Sequence, residues 1–207
     1  KKCILFTSNS WTTKKIYKKI INYIKPVKVF DNIKPNPQLY SIFELNIDFK
    51  KIDICISLGG GSVIDFTKGI LGYNLINNKK LFSKLLIANK QCFKKNKSLP
   101  KIVAIPTTSG TGSEINSWGT IWNNNNKLSV SGEQLKPSYI ILDSNLCCTM
   151  PESVTISSAL DALSHCFESV WNKNYSYLTD EISKIAIRKI IKFLPLVITD
   201  HKNTSYR

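Results

Sequence analysis

The chain has 207 residues, 29 Lys plus Arg against 14 Asp plus Glu, a formal charge of +15, and 43% hydrophobic residues. That hydrophobic share excludes intrinsic disorder, and the length allows one or two domains of about 100 to 200 residues. Apolar runs such as residues 54–58 and 140–142 fall far short of the ~20 residues a membrane helix needs, so no transmembrane segment is expected.

In chain order, Cys3–Thr7 is a short apolar run broken by Ser8, Asn9 and Ser10. Ile16, Ile20, Tyr23 and Ile24 then recur at helical spacing with lysines on the other face, which predicts strand, turn and helix. Residues 27–30 predict a second strand. The KPNP stretch at 34–37 reads as a loop, because each proline drives its predecessor away from helical angles. A helix is predicted over 38–50, with Leu39, Ile42, Phe43, Ile47 and Phe49 as apolar positions, and a third strand over 54–58. Strands separated by helical patterns imply right-handed crossovers and a parallel sheet. Gly59, Gly60, Gly61 and Ser62 end the third strand, and a helix at 63–71 leads away from them. Residues 88–101 are polar and lysine-rich and predict a surface loop, followed by a strand at 102–105. Pro106 opens a second turn of small residues at 107–113. Two extended segments, 117–122 and 127–131, flank an asparagine-rich turn and predict a hairpin. A short strand at 140–142 ends at Asp143. After Pro151 two long helical patterns, 154–171 and 177–194, follow with no strand between them. The fold class is therefore α/β with a parallel sheet, followed by the start of an all-helical domain, the boundary falling at 152/153.

The chain opens on Lys rather than Met with no signal peptide ahead of the first strand, and it closes on a polar run after a helix that lacks a partner. Both ends are expected to continue in a longer protein. Six cysteines at positions 3, 55, 92, 147, 148 and 166 show no CxxC spacing, which argues against a zinc ribbon or a disulfide framework and favours a reducing cytoplasm. Lysines cluster at Lys14, Lys15, Lys18 and Lys19, at Lys94, Lys95 and Lys97, and at Lys189 and Lys192. Without interleaved aromatics these read as solvated helix faces and a loop, so neither nucleic acid nor membrane is expected as a partner. A basic field still attracts an anionic cofactor or substrate.

Three glycines at the carboxyl end of a parallel strand, followed by a helix, let backbone N–H groups approach a phosphate with no Cβ in the way. Tight turns use the same residues, so the signal is weak alone. The second turn strengthens it: Thr107, Thr108, Ser109, Gly110, Thr111, Gly112 and Ser113 follow another strand and offer hydroxyl donors for ribose, pyrophosphate or a nicotinamide amide. Two such turns point to one dinucleotide crevice. Asp161 and His165, four residues apart in a helical pattern, share one face and have the spacing of two metal ligands or of an intrahelical hydrogen bond. The other histidine, His201, lies in polar company beyond the second long helix and reads as a surface residue.

These segments resemble the iron-dependent, or group III, alcohol dehydrogenases. GGGSVIDFTK (59–68), IPTTSGTGSE (105–114), Lys127 in the hairpin, ILDSNL (141–146) before Met150 and Pro151, and LDALSHCFES (160–169) occur in that family's order and spacing. The resemblance spans practically the whole chain and about the first half to two thirds of a family member. Within the family, FDNIKPNPQL (30–39), the stretch 127–143 and ESVWNKNYS (168–176) are most similar to phosphonoacetaldehyde reductases.

The resemblance implies a dinucleotide-binding α/β domain over 1–152, the beginning of an all-helical metal-binding domain over 153–207, and an active site in the cleft between the two. It implies NAD(P)H and a divalent metal, Fe(II) or else Zn(II), reducing a small aldehyde to an alcohol, with phosphonoacetaldehyde as a candidate. Gly60, Gly61 and Ser62 would hold the pyrophosphate, with Asp65 near the nicotinamide. Thr107, Thr108, Thr111, Ser113, Lys127 and Asn36 would also face the cofactor. Asp161 and His165 would be catalytic as the first two metal ligands. The family's further metal-binding histidines lie beyond residue 207, so this chain alone is expected to be inactive, and the full-length protein is expected to form a homo-oligomer. Many NAD-preferring members carry an acid after the first strand where this chain has Ser8. Its loss removes repulsion toward a 2′-phosphate, which Lys14 or Lys15 could answer, so NADPH is expected to serve at least as well as NADH. Two other readings stay open: a non-catalytic dinucleotide binder and a basic nucleic-acid binder.

Overall fold

The computed structural model describes residues 1–89 and 98–207. The chain divides into two compact units: Lys1–Pro106 with Ser113–Leu142, and Thr107–Gly112 with Asp143–Arg207.

The first unit is built on β1 (Cys3–Thr7), the helices α1 (Asn9–Thr12) and α2 (Lys15–Ile24), β2 (Lys28–Phe30), α3 (Leu39–Glu44), β3 (Ile54–Gly59), α4 (Gly61–Ile76), α5 (Lys79–Ile87) and β4 (Lys101–Pro106). The hairpin of β5 (Trp118–Asn123) and β6 (Asn126–Ser131) and the short β7 (Tyr139–Ile140) complete it. The strands β2-β1-β3-β4-β7 form one sheet in that order, every pair parallel. This is the α/β architecture with a parallel sheet that the alternating pattern predicts. Every residue of β1 is buried, as a central strand covered on both faces requires. The edge strand β2 is short and carries an exposed lysine, which blunts further pairing.

Helix α4 lies at the centre of the unit. Ten of its residues are buried, among them Val63, Phe66, Ile70 and Leu71. The antiparallel hairpin packs against it, with Ile121 and Val130 fully buried in the common core. Because it is covered nearly all round, α4 has no polar face of the kind a surface helix shows.

Several elements depart from the sequence reading. The helix predicted over 38–50 stops at Glu44. Leu45 adopts extended angles, and the Asp48 carboxylate accepts from the Lys50 N–H at 3.2 Å, capping a separate 3-10 turn at Phe49–Lys51. Local side-chain bonding of this kind competes with the helix. Helix α4 runs beyond residue 71 and ends where Asn77 takes the left-handed conformation (φ 52°). Helix α5 occupies a stretch for which the sequence pattern predicts no element. Asn78 caps it by accepting from the Leu81 N–H, and Phe82 and Leu86, one turn apart, are its buried face. The amphipathic pattern of α2 is real, yet the helix buries none of its residues, and Tyr23 is 90% exposed. The predicted loop at 88–101, with Lys94, Lys95 and Lys97, falls mostly outside the described residues, and Lys101 already belongs to β4.

In the second unit, α6 (Ser144–Cys147) precedes two long helices, α7 (Glu152–Val170) and α8 (Tyr177–Thr199), which pack side by side. The sequence pattern ends the last helix at Leu194, before Pro195. In the structure α8 continues through the proline, which forfeits one hydrogen bond, and the buried Val197 anchors the turn beyond it. Ser176 and Thr179 form a reciprocal cap at its start.

Phe82 has no exposure and meets Phe43 and Tyr73 edge-on, with ring centroids 6.3 and 5.6 Å away. Phe82→Ala is expected to lower the unfolding free energy by about 3 to 5 kcal/mol, measured by urea denaturation.

Candidate functional site

The strands β1 and β3 are neighbours, paired as far as Thr7 and Leu58, and the Thr7 hydroxyl donates to the Leu58 carbonyl at 2.7 Å. With β2 on one side of β1 and β4 beyond β3, the strand order reverses between β1 and β3. In open parallel sheets, the crevice outside the carboxyl ends at such a reversal is where ligands bind. Ser8 leaves β1 at that point and Gly60 leaves β3.

Gly60 is the N-cap of α4, in extended conformation and with no side chain to cap the helix, so the first-turn N–H groups of Gly61 and Ser62 head the helix without a covering side chain. At Gly59 an added Cβ would come within 2.7 Å of the Val63 Cβ, which keeps the turn to glycine. Asn36, left-handed at φ 55°, donates its backbone N–H to the Ser62 hydroxyl at 3.3 Å. The KPNP loop and the glycine turn are therefore joined. A cavity of about 600 Å³ opens beside that loop, lined by Phe30, Asn36, Gln38, Tyr40 and Phe66 among others. Ser8 is half-buried, with its hydroxyl 2.9 Å from that of Ser10.

One turn into α4, both carboxylate oxygens of Asp65 are engaged. The Ser113 hydroxyl donates to Oδ1 at 2.8 Å and the Thr120 N–H to Oδ2 at 3.0 Å. Burial raises the carboxyl above the usual range, and these two donors, with the charges of Lys68 and Lys127, pull it back. Lys127 itself is exposed on β6. The structure thus joins Asp65 to Ser113 directly and to Lys127 through its field.

The sequence reading assigns Lys68 no role. The structure buries it completely, and its ammonium donates to the Ser113 carbonyl at 2.6 Å, the Asn116 Oδ1 at 2.9 Å and the Trp118 carbonyl at 2.6 Å. Burial pulls its pKa down to about 8, against the upward pull of Asp65 and Glu114. The available signal was a cation inside an otherwise apolar helical run, Thr67 to Leu71, where no solvated face exists to receive it.

In the second unit the turn Thr107–Gly112 buries Thr107, half-buries Thr108 and Thr111 and exposes Ser109. Gly110 sits at φ 123° with its Cα against the Ser158 carbonyl of α7, where any side chain would collide with backbone. On α7, His165 Nε2 lies 3.9 Å from Asp161 Oδ1, with both side chains about half exposed, at 56% and 50%. Two metal bonds of about 2.1 Å reach across at most about 4.2 Å, so this pair fits as two ligands of one ion. Among the described residues no group of three or more His, Cys, Asp or Glu could hold a metal. His201 pairs instead with Glu152 at 3.8 Å.

A family model described as iron-containing alcohol dehydrogenase matches residues 1–144. The chain belongs to the iron-containing alcohol dehydrogenase family. An alcohol dehydrogenase of Thermococcus barophilus is 29% identical over 206 residues, covering 94% of this chain and 53% of that protein. The NADP-dependent alcohol dehydrogenase 3 of Entamoeba histolytica is 28% identical over 212 residues, covering 99% of this chain and 55% of that one. Among solved structures, the NADH-dependent butanol dehydrogenase A of Thermotoga maritima has a TM-score of 0.86 at 26% identity, covering 99% of this chain and 52% of that one. The chain spans about half the length of these relatives.

The positive φ and the backbone contact at Gly110 make a concrete expectation. Gly110→Ala should destabilise the chain by about 2 kcal/mol or more, read as a lowered midpoint of thermal unfolding.

Proposed function

We propose that this chain supplies the dinucleotide-binding part and the first two metal ligands of an NAD(P)H-dependent, metal-assisted aldehyde reductase. Residues 1–152 bind the cofactor in this reading and 153–207 begin the metal-binding domain. The observation that carries it is the glycine-capped N-terminus of a 16-residue helix at the reversal point of a parallel sheet, tied through the Ser62 hydroxyl to the KPNP loop. Family membership and the relatives named as alcohol dehydrogenases support the reaction class.

When bound, the dinucleotide supplies hydride and the divalent ion, Fe(II) or Zn(II), supplies Lewis acidity at the substrate oxygen. The Gly61 and Ser62 N–H groups, at the positive end of α4, would hold the pyrophosphate. Asp65, held by Ser113 and Thr120, would serve the nicotinamide end, and Thr107, Thr108 and Thr111 would contribute hydroxyls. Asp161 and His165 are two of the ligands that hold the ion. Such residues act by fixing position, the source of much of the rate in a transfer reaction. The substrate is a small aldehyde, with phosphonoacetaldehyde as the candidate on the strength of segments 30–39, 127–143 and 168–176. The scattered spacing of the six cysteines in the sequence favours a reducing cytoplasm as the compartment.

Ser8 in place of an acid supports NADPH as at least an equal partner to NADH. Lys14 rests its ammonium 4.4 Å from the centre of the Trp11 ring, and Lys15 is exposed. Titration of the chain with NADPH, followed by nicotinamide fluorescence, is expected to show saturable binding, and a chain that binds neither dinucleotide would overturn the reading. Ser8→Asp should weaken NADPH relative to NADH by about tenfold, through repulsion of the 2′-phosphate. For the metal, Co(II) absorption should report binding that drops about tenfold or more in His165→Ala, and equal affinity would remove the pair from the site.

A further inference from the structure

We propose that Lys68 is a positioning residue that makes dinucleotide affinity depend on pH, by holding the segment 113–118 so that the Ser113 hydroxyl keeps the Asp65 carboxylate in place. The proposal rests on reading the N-terminus of α4 as the dinucleotide site.

The argument starts from donor arithmetic. A protonated lysine has three N–H groups and no acceptor, and three oxygens surround this one: the Ser113 carbonyl, the Asn116 Oδ1 and the Trp118 carbonyl, at 2.6, 2.9 and 2.6 Å. A neutral amine has two N–H groups and a lone pair, so one oxygen would face a lone pair and be pushed away. The segment that would loosen is the one that holds Asp65. Ser113 gives its carbonyl to Lys68 and its hydroxyl to Asp65 Oδ1, and the Asn116 Oδ1 also accepts from the Trp118 N–H at 2.8 Å. Asp65 and Lys68 sit three residues apart on α4, so one helix face grips the segment at two points. The positive charge itself lies about two turns from the helix N-terminus, where it adds to the field that attracts phosphate.

The charged groups acting on Lys68 are Asp65 on its own helix and Glu114 on the gripped segment. Lys127 of β6 acts on Asp65. Burial outweighs both carboxylates, so the proton leaves near pH 8 rather than at the ordinary value of 10.5. Affinity is therefore high below that point and falls as pH rises through it. The contribution of Lys68 to folding stability has the opposite sign. The folded chain releases this proton at about 8 and the unfolded chain at the ordinary 10.5, so stability rises between those values. Alkaline loss of affinity through Lys68 is thus separable from unfolding.

The test is titration of NADPH and NADH into the 207-residue chain across the range around pH 8, followed by nicotinamide fluorescence, with circular dichroism at each pH. The wild-type Kd is expected to rise about tenfold through the transition, the loss of one hydrogen bond from a charged donor. Lys68→Met should bind more weakly at neutral pH and show no such transition. The second measurement needs no variant: the 13Cε resonance of Lys68 should titrate near 8 in the free chain and about one unit higher with NADPH bound, the reciprocal of the same coupling. A flat wild-type profile, an undisplaced Lys68 titration, or a folded Lys68→Met chain with the wild-type profile overturns the proposal and leaves the dinucleotide reading standing. Absence of binding at every pH overturns both.

Discussion

A lysine ammonium sealed from solvent must find oxygens inside the protein, and in this chain it finds three on one short segment. Burying such a charge without them would cost several kcal/mol, so the segment and the helix that carries Lys68 are bound to each other's position. The consequences spread from there. The approach to the hairpin is pinned by its carbonyls, Thr120 at the start of the hairpin gives its N–H to Asp65, and Gly119 lies so close to α4 that an added Cβ would stand 3.1 Å from the Asp65 carbonyl oxygen. The hairpin then closes over Ile70 and Ile121, which share one hydrophobic core.

The same helix presents its other end to chemistry. Its first turn begins at the carboxyl edge of β3, next to β1, where chain reversal opens the sheet. A helix N-terminus there attracts anions, and a glycine cap leaves backbone donors uncovered by side chains. One buried helix is therefore the axis of the core, and in the proposed reading its N-terminus is also the anchor for the cofactor phosphates. A polar network at Asp65, Lys68 and Ser113 connects the two uses. Partly satisfied, such a network would be costly; with both carboxylate oxygens and all three ammonium hydrogens engaged it rigidifies the site.

Legibility varied by element, for identifiable reasons. The central strands were readable because burial on both faces gives unbroken apolar runs, as in Cys3–Thr7, and the hairpin because its asparagines suit positive φ, as Asn124 does at 53°. The shortened α3 was not, since Phe49 and Ile47 keep helical spacing while Asp48 bonds its own backbone. Helix α5 carries only two buried residues, too few for periodicity to stand out among lysines. Gly60, Gly61 and Ser62 were legible as one local pattern and Asp161 and His165 as another. Lys68, Thr120 and Asn116 were not, because their partners lie about fifty residues away along the chain.

Sequence by itself determined the alternation of strands and helices, the two turns rich in small residues and the family, because each is written in neighbouring residues or in an ordered series of motifs. Tertiary structure alone decided which strands are neighbours, that Asn36 meets Ser62, and that the lysine in the helix points inward rather than toward water. Periodicity ranks residues by their own hydrophobicity. The burial of a charge depends on oxygens brought to it by folding, and no local pattern records them.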